Sequence, residues 1–142
     1  MEAFPDYDPA TAEMAMARQE GSGLPGFLGI RTVAAGAGTM RCSIDVRPEL
    51  LNPFGTMHGG VVSALVDHVL GAVCYPVIPR GTWAATTEFK LNLVAPVREG
   101  TVEAAAEIVT MSKRTAIVRI DVSNGGRAVA FAQGTVTLKP PA

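Results

Sequence analysis

Residues 57–75 constrain the fold more than any other part of the chain. The segment holds no proline, opens at Gly59-Gly60, is dense in Val, Leu and Ala, and stops at Pro76. It predicts one long helix of about 27 Å at about 1.5 Å per residue. Its apolar residues run almost all round, so such a helix should be buried on most faces. The period then changes. Glu88-Phe89-Lys90-Leu91-Asn92-Leu93 alternates, Val102, Ala104, Ala106 and Ile108 keep one face, and Ala116, Val118, Ile120 and Val122 do the same. Asn124-Gly125 marks a hairpin leading into Arg127 to Thr137. Four consecutive strands after one helix imply an α+β chain with an antiparallel sheet.

The part before the helix is less regular. Asp8-Pro9 is a cap and first-turn pair, and Ala10, Met14 and Ala17 recur at helical spacing, which predicts a short helix over 8–20. Gly21-Ser22-Gly23 stops it, and Leu24-Pro25-Gly26 reads as continued loop. Short strands begin at Ile30, clearest from Arg41 to Val46, and Pro48 to Phe54 reads as loop. With 142 residues and no internal repeat, the chain fits one domain over 1–142, with residues 1–26 as an N-terminal helix and loop extension.

Hydrophobic residues make up 48% and charged residues 18%, too apolar for a disordered chain. A mean hydropathy of +0.26 is high for so small a domain, whose large surface per volume would leave apolar groups uncovered. A homo-oligomer is therefore expected. A net charge of −1, no basic block and 6% aromatics argue against a nucleic-acid surface. The acidic start lacks the positive charge of a signal peptide, and no run is read as a membrane span, so the expected location is cytoplasmic. Cys42 and Cys74 stand apart from each other and from any His cluster. They read as buried thiols rather than a disulfide or a metal site.

Chemistry concentrates in Asn52-Pro53-Phe54-Gly55-Thr56-Met57-His58-Gly59-Gly60 and in Asp67. Glycines at a helix start allow close approach to the backbone, and the first amides there have no partner within the helix. With the helix dipole behind it, such an amide suits an oxygen that gains negative charge. The same glycines also serve tight turn packing. Asp67 lies among apolar neighbours, where an unpaired buried carboxylate would be costly, so a functional acid stands beside an ion pair with a core Arg. Gly60, Ser63, Asp67, Gly71 and Cys74 share one helix face, as a ligand groove or a packing seam. His68 points elsewhere and reads as structural. His58 fits a positioning role better than that of a base, and Asn52 either holds a water or forms the turn before Pro53.

The segment Asn52 to Gly60, followed by Leu65-Val66-Asp67, resembles the signature of hotdog-fold acyl-CoA thioesterases, in particular their phenylacetate-pathway (PaaI-like) branch. The resemblance spans residues 27 to 138. It implies a long helix wrapped by a curved antiparallel sheet, and subunits paired edge to edge as a dimer or dimer of dimers. It implies Asp67 as general base or nucleophile, the Gly59 amide as donor to the thioester carbonyl, and Asn52 and His58 as polar positioning groups. Thr86, a weaker match, falls where a Ser or Thr assists at the start of the next strand, and Glu88 reads as surface charge. Lys113-Arg114 resembles the basic turn that meets the coenzyme A phosphates, with Arg80 a second candidate; the alternative is a solvated hairpin. Gly60, Ser63 and Gly71 would line the substrate groove.

The implied reaction is hydrolysis of an acyl-CoA thioester to acid and CoA, with no metal and no cofactor beyond the substrate's own coenzyme A. Alternatives are a hotdog 3-hydroxyacyl-thioester dehydratase, whose His-Phe-Pro type loop is missing, and a non-catalytic acyl-CoA-binding protein. Trp83, Phe89 and Met57 are candidates for an acyl pocket, or simply core. Gly59 and Asp67 lie eight positions apart, about 12 Å along one helix, too far to serve one carbonyl. Each site is therefore expected to be shared, with Gly59 and His58 from one protomer and Asp67 from its partner.

Overall fold

The computed structural model describes residues 3–17 and 21–142. Helix α3 (Gly59–Ala72) lies on a six-stranded sheet of β1 (Arg31–Gly36), β2 (Thr39–Asp45), β3 (Trp83–Leu93), β4 (Thr101–Met111), β5 (Thr115–Asn124) and β6 (Arg127–Lys139). Its order is β1-β2-β4-β5-β6-β3, and every neighbouring pair is antiparallel. Val62, Leu65, Val66, Val69 and Leu70 of α3 are buried against the inward side chains of the sheet, among them Ile44, Ala104, Val118 and Ile120.

Several sequence expectations shift. α3 has 14 residues rather than the stretch 57–75. His58 caps its start, and after Ala72 the chain tightens into a 3-10 turn over Tyr75–Val77 around Pro76. The helix is not buried all round either. Gly60 and Asp67 are exposed in the single chain, and Ser63, Ala64 and His68 are half-buried. The stretch Gly59–Val77, α3 with the turn after it, holds an 18-residue window of mean hydropathy 1.5, enough by length and composition alone to cross a membrane, but Asp67 and His68 interrupt it and it is this fold's core helix.

At the N-terminus, α1 spans Pro9–Ala17, and residues 18–20 of the expected helix lie outside the described residues. Asp8 accepts from the Ala10 amide and the Thr11 hydroxyl, as a helix cap does. The expected loop after Gly21 contains a second helix, α2 (Gly23–Leu28), ended by Gly29 in the left-handed conformation at φ 74°. The β5–β6 turn falls one residue later than the Asn-Gly pair suggests. Asn124 pairs with Arg127, and Gly125 and Gly126 supply the two positive φ angles.

The sheet has two edges. β3 is one of them, eleven residues long and paired only with β6, so one side of its backbone is unpaired, a ready template for another strand.

Candidate active site

The turn before α3 is built by Asn52. Its Nδ2 donates to Thr56 Oγ1 at 2.7 Å, and its Oδ1 accepts from the amides of Phe54 at 2.9 Å and Thr56 at 3.2 Å. Of the two sequence readings, the structure brings out the turn former. The loop is then docked, with the Met57 amide on Val97 O and the His58 amide on Leu50 O.

His58 holds the helix start. Its Nδ1 accepts from the Gly60 amide at 2.8 Å, and a Cβ at residue 60 would stand 2.9 Å from that nitrogen, so a larger residue there would push the imidazole off the cap. The amides of Val61 and Val62 donate to His58 O. Of the first four amides of α3, three are thereby occupied, and among the described residues no acceptor is found for that of Gly59. Gly59 opens onto a depression of 330 Å³ walled by Thr56, Met57, Val62, Leu93 and Val129. A Cβ on it would lie 2.8 Å from Leu93 Cδ1. An unpartnered amide at the positive end of a helix can donate to a carbonyl oxygen and to the oxyanion formed from it.

Asp67 lines a second depression of 500 Å³, between α3 and α2, with Gly60, Ser63, His68 and Phe89. Neither the buried carboxylate nor the ion pair with a core Arg is found. Asp67 is exposed, and among the described residues its carboxylate has no hydrogen-bond or ion-pair partner. His68, expected to point elsewhere, lines the same depression. Burial lowers the His68 pKa below 6.5, and the neighbouring Asp67 charge partly opposes that.

The other candidates lie elsewhere in the single chain. Gly71 faces Ala84 O, 3.7 Å from where a Cβ would stand, which makes it a packing site between α3 and β3. Cys74 is buried beyond the end of α3, and burial pushes its thiol up to about 12, as befits an inert thiol. Cys42 is also a free, buried thiol. Thr86 is the fourth residue of β3, at a register shift on the open edge, rather than its first, and lines neither depression. Glu88 is exposed and accepts from Thr135 Oγ1 at 2.6 Å. Arg80 is engaged by Asp8 at 3.1 Å and lines a further depression with Trp83. Lys113 and Arg114 stand exposed in the β4–β5 turn, where Ser112 Oγ accepts the Arg114 and Thr115 amides.

The sequence reading missed α2, whose Leu24, Pro25 and Leu28 wall the Asp67 depression, and Arg47, which holds that helix. The available signal was Leu24 and Leu28 at helical spacing followed by Gly29.

The thioesterase superfamily model matches residues 54–131. Human (Homo sapiens) acyl-coenzyme A thioesterase 13 is 27% identical over 111 residues, covering 76% of this chain and 77% of that protein. Among solved structures, a mutant of the phenylacetic acid degradation protein PaaI of Thermus thermophilus superposes with a TM-score of 0.73 at 30% identity. That match covers 80% of this chain and 96% of that one. A thioesterase of Haemophilus influenzae shares the fold at a TM-score of 0.82 and 21% identity, over 89% and 88% of the two chains. The chain belongs to the thioesterase superfamily, has the hotdog fold and is a thioester hydrolase.

Proposed function

We propose that the chain hydrolyses acyl-CoA thioesters to free acid and CoA at sites shared by two protomers. The observation that carries this reading is the Gly59 amide, the one amide of the first turn of α3 left without an acceptor among the described residues, at an open depression. It would polarise the thioester carbonyl and hold the oxyanion. Asn52 and His58 position it, one by bracing the turn and the other by taking up the Gly60 amide. Asp67 supplies the negative charge. As a general base it takes a proton from water whose oxygen bonds to the carbonyl carbon; the C–S bond then breaks, and the CoA sulfur leaves and takes up a proton. Direct attack by Asp67 would instead form a mixed anhydride that water opens.

The two groups do not meet within one chain. α3 is continuous from Gly59 to Ala72, and the residues open onto different depressions. A partner related by a twofold axis, with α3 antiparallel, brings the Asp67 of each chain toward the Gly59 of the other and makes two equivalent sites. Support comes from the unpaired edge of β3 and from large exposed apolar side chains, Phe54 at 89% and Leu93 at 55%.

The test is release of free CoA thiol from a panel of acetyl-, straight-chain, phenylacetyl- and hydroxybenzoyl-CoA. Thiol release with turnover is the expected result; binding of these esters without thiol release, or hydration chemistry on the acyl chain alone, overturns it. Oxygen label from water in the Asp67 carboxylate after turnover would select the anhydride route.

A further inference from the structure

Helix α2 should not stand by itself. Six residues, two of them glycine and one proline, have low helix propensity, and isolated helices so short do not hold in water. Its N-cap residue Ser22 makes no side-chain capping bond, and Leu28 is its one buried residue. The C-terminal end is where it is secured. The amides of Gly29 and Ile30 donate to Gly26 O and Pro25 O. The two remaining carbonyls both accept from one side chain, with Arg47 Nη1 donating to Leu28 O at 3.0 Å and Nη2 to Phe27 O. The same guanidinium lies over the Phe27 ring, 5.8 Å from its centroid. A cation at a helix C-terminus also complements the dipole.

What α2 faces gives this fastening a consequence. Around the Asp67 depression α3 contributes the small residues Gly60, Ser63 and Ala64 beside the polar Asp67 and His68, whereas α2 contributes the apolar Leu24, Pro25 and Leu28. The α2 side of the depression is therefore an apolar wall facing Asp67, and where α2 stands sets how far that wall lies from α3. We propose that Arg47 is a positioning residue for acyl selection: it fixes α2 as the wall against which an apolar acyl group packs, beside Asp67. This rests on the thioesterase reading, in which the depression receives part of the acyl-CoA.

The test uses CoA analogues in which a methylene replaces the thioester sulfur, carrying either an acetyl or a phenylacetyl group, so binding is read without hydrolysis. In Arg47→Ala, the affinity for the phenylacetyl analogue falls about tenfold more than that for the acetyl analogue, the scale of one lost charge-assisted hydrogen bond. Amide exchange over 23–30 speeds up. Arg47→Lys, with the charge but not the two-pronged donor, restores part of the preference. Leu24→Trp, at a side chain already exposed, narrows the depression without touching Arg47 and also disfavours the phenylacetyl analogue. Equal losses on both analogues, or faster exchange with an unchanged preference, overturn the proposal and leave Arg47 a structural group. If the analogue preference responds as stated but no thioester is hydrolysed, the wall stands and the hydrolase reading falls.

Discussion

Asp67 illustrates how a single residue is read differently in sequence and in space. Its neighbours Leu65, Val66, Val69 and Leu70 are buried, yet it is exposed on the opposite face of the same helix. An exposed carboxylate without a partner among the described residues contributes little to stability. Asp67→Asn should therefore lower kcat by roughly 10²- to 10⁴-fold, the range for a lost general base, with a thermal midpoint close to that of the parent. A large drop in the midpoint with activity retained would mark a structural acid instead. His68 gives a pH signature. Its folded pKa lies below 6.5 because burial disfavours the imidazolium, so at mildly acidic pH the unfolded chain binds more protons than the folded one. Stability from this group is present above about 6.5 and is lost as pH falls from there toward the lowered folded value. The lowered carboxylates Asp8 and Asp45 act in a separate window, below their ordinary 3.8. Denaturant midpoints followed from pH 7.5 to 5 should fall, and His68→Gln should flatten that slope.

At the scale of elements, the start of α3 is the decisive feature. His58 takes the Gly60 amide, so His58→Ala should cost about 1 kcal/mol of stability, typical of a lost N-cap, and lower kcat through a loosened Gly59. Denaturation and turnover of the same variant measure both effects. The β4–β5 turn is a contrasting case. Lys113 and Arg114 are exposed and belong to a hairpin whose turn is held by Ser112, so their removal should leave the fold alone. If they meet the phosphates of CoA, the double Ala variant should raise KM for acyl-CoA at nearly constant kcat, because phosphate contacts do not change in the transition state. Hydrolysis of a short pantetheine thioester should barely change, and equal losses on both substrates would exclude the phosphate role.

For the whole molecule, the separate depressions of Gly59 and Asp67 lead to a complementation experiment. Gly59→Pro removes the amide at the first helical position, where proline is tolerated. The preceding His58 has ψ 133°, an extended conformation compatible with a following proline. Leu93 Cδ1 must shift to admit the ring, and a side-chain tip can do so. Mixed dimers of Asp67→Ala and Gly59→Pro protomers would pair one intact site with one doubly defective site and recover up to half of the wild-type activity. Heterodimers that form and stay as inactive as their parents would defeat the shared site.

The α+β class, the four strands after the helix and the turn at 52–60 that leads into α3 were legible in the sequence, because they rest on local chemistry. A period of two, a proline-free apolar run and a cluster of turn residues mean much the same wherever they occur. Helix ends and the role of α2 were not legible in the same way. Pro76 and the packing of the following turn ended α3 at Ala72, and the last carbonyls of α2 are taken up by an arginine nineteen positions beyond its last residue Leu28. Nor could spacing reveal which polar groups were already engaged. Asn52 read equally as holder of a water or former of the turn, and His58 as a positioning group; their hydrogen bonds to Thr56 and Gly60 engage both in holding the turn. Local sequence determined which polar and turn-forming groups stand at the start of α3 and along it. Only the tertiary structure decided which amide of the α3 start stays unpartnered and which face of α3 turns away from the sheet, because hydrogen-bond satisfaction and burial depend on residues distant in the chain.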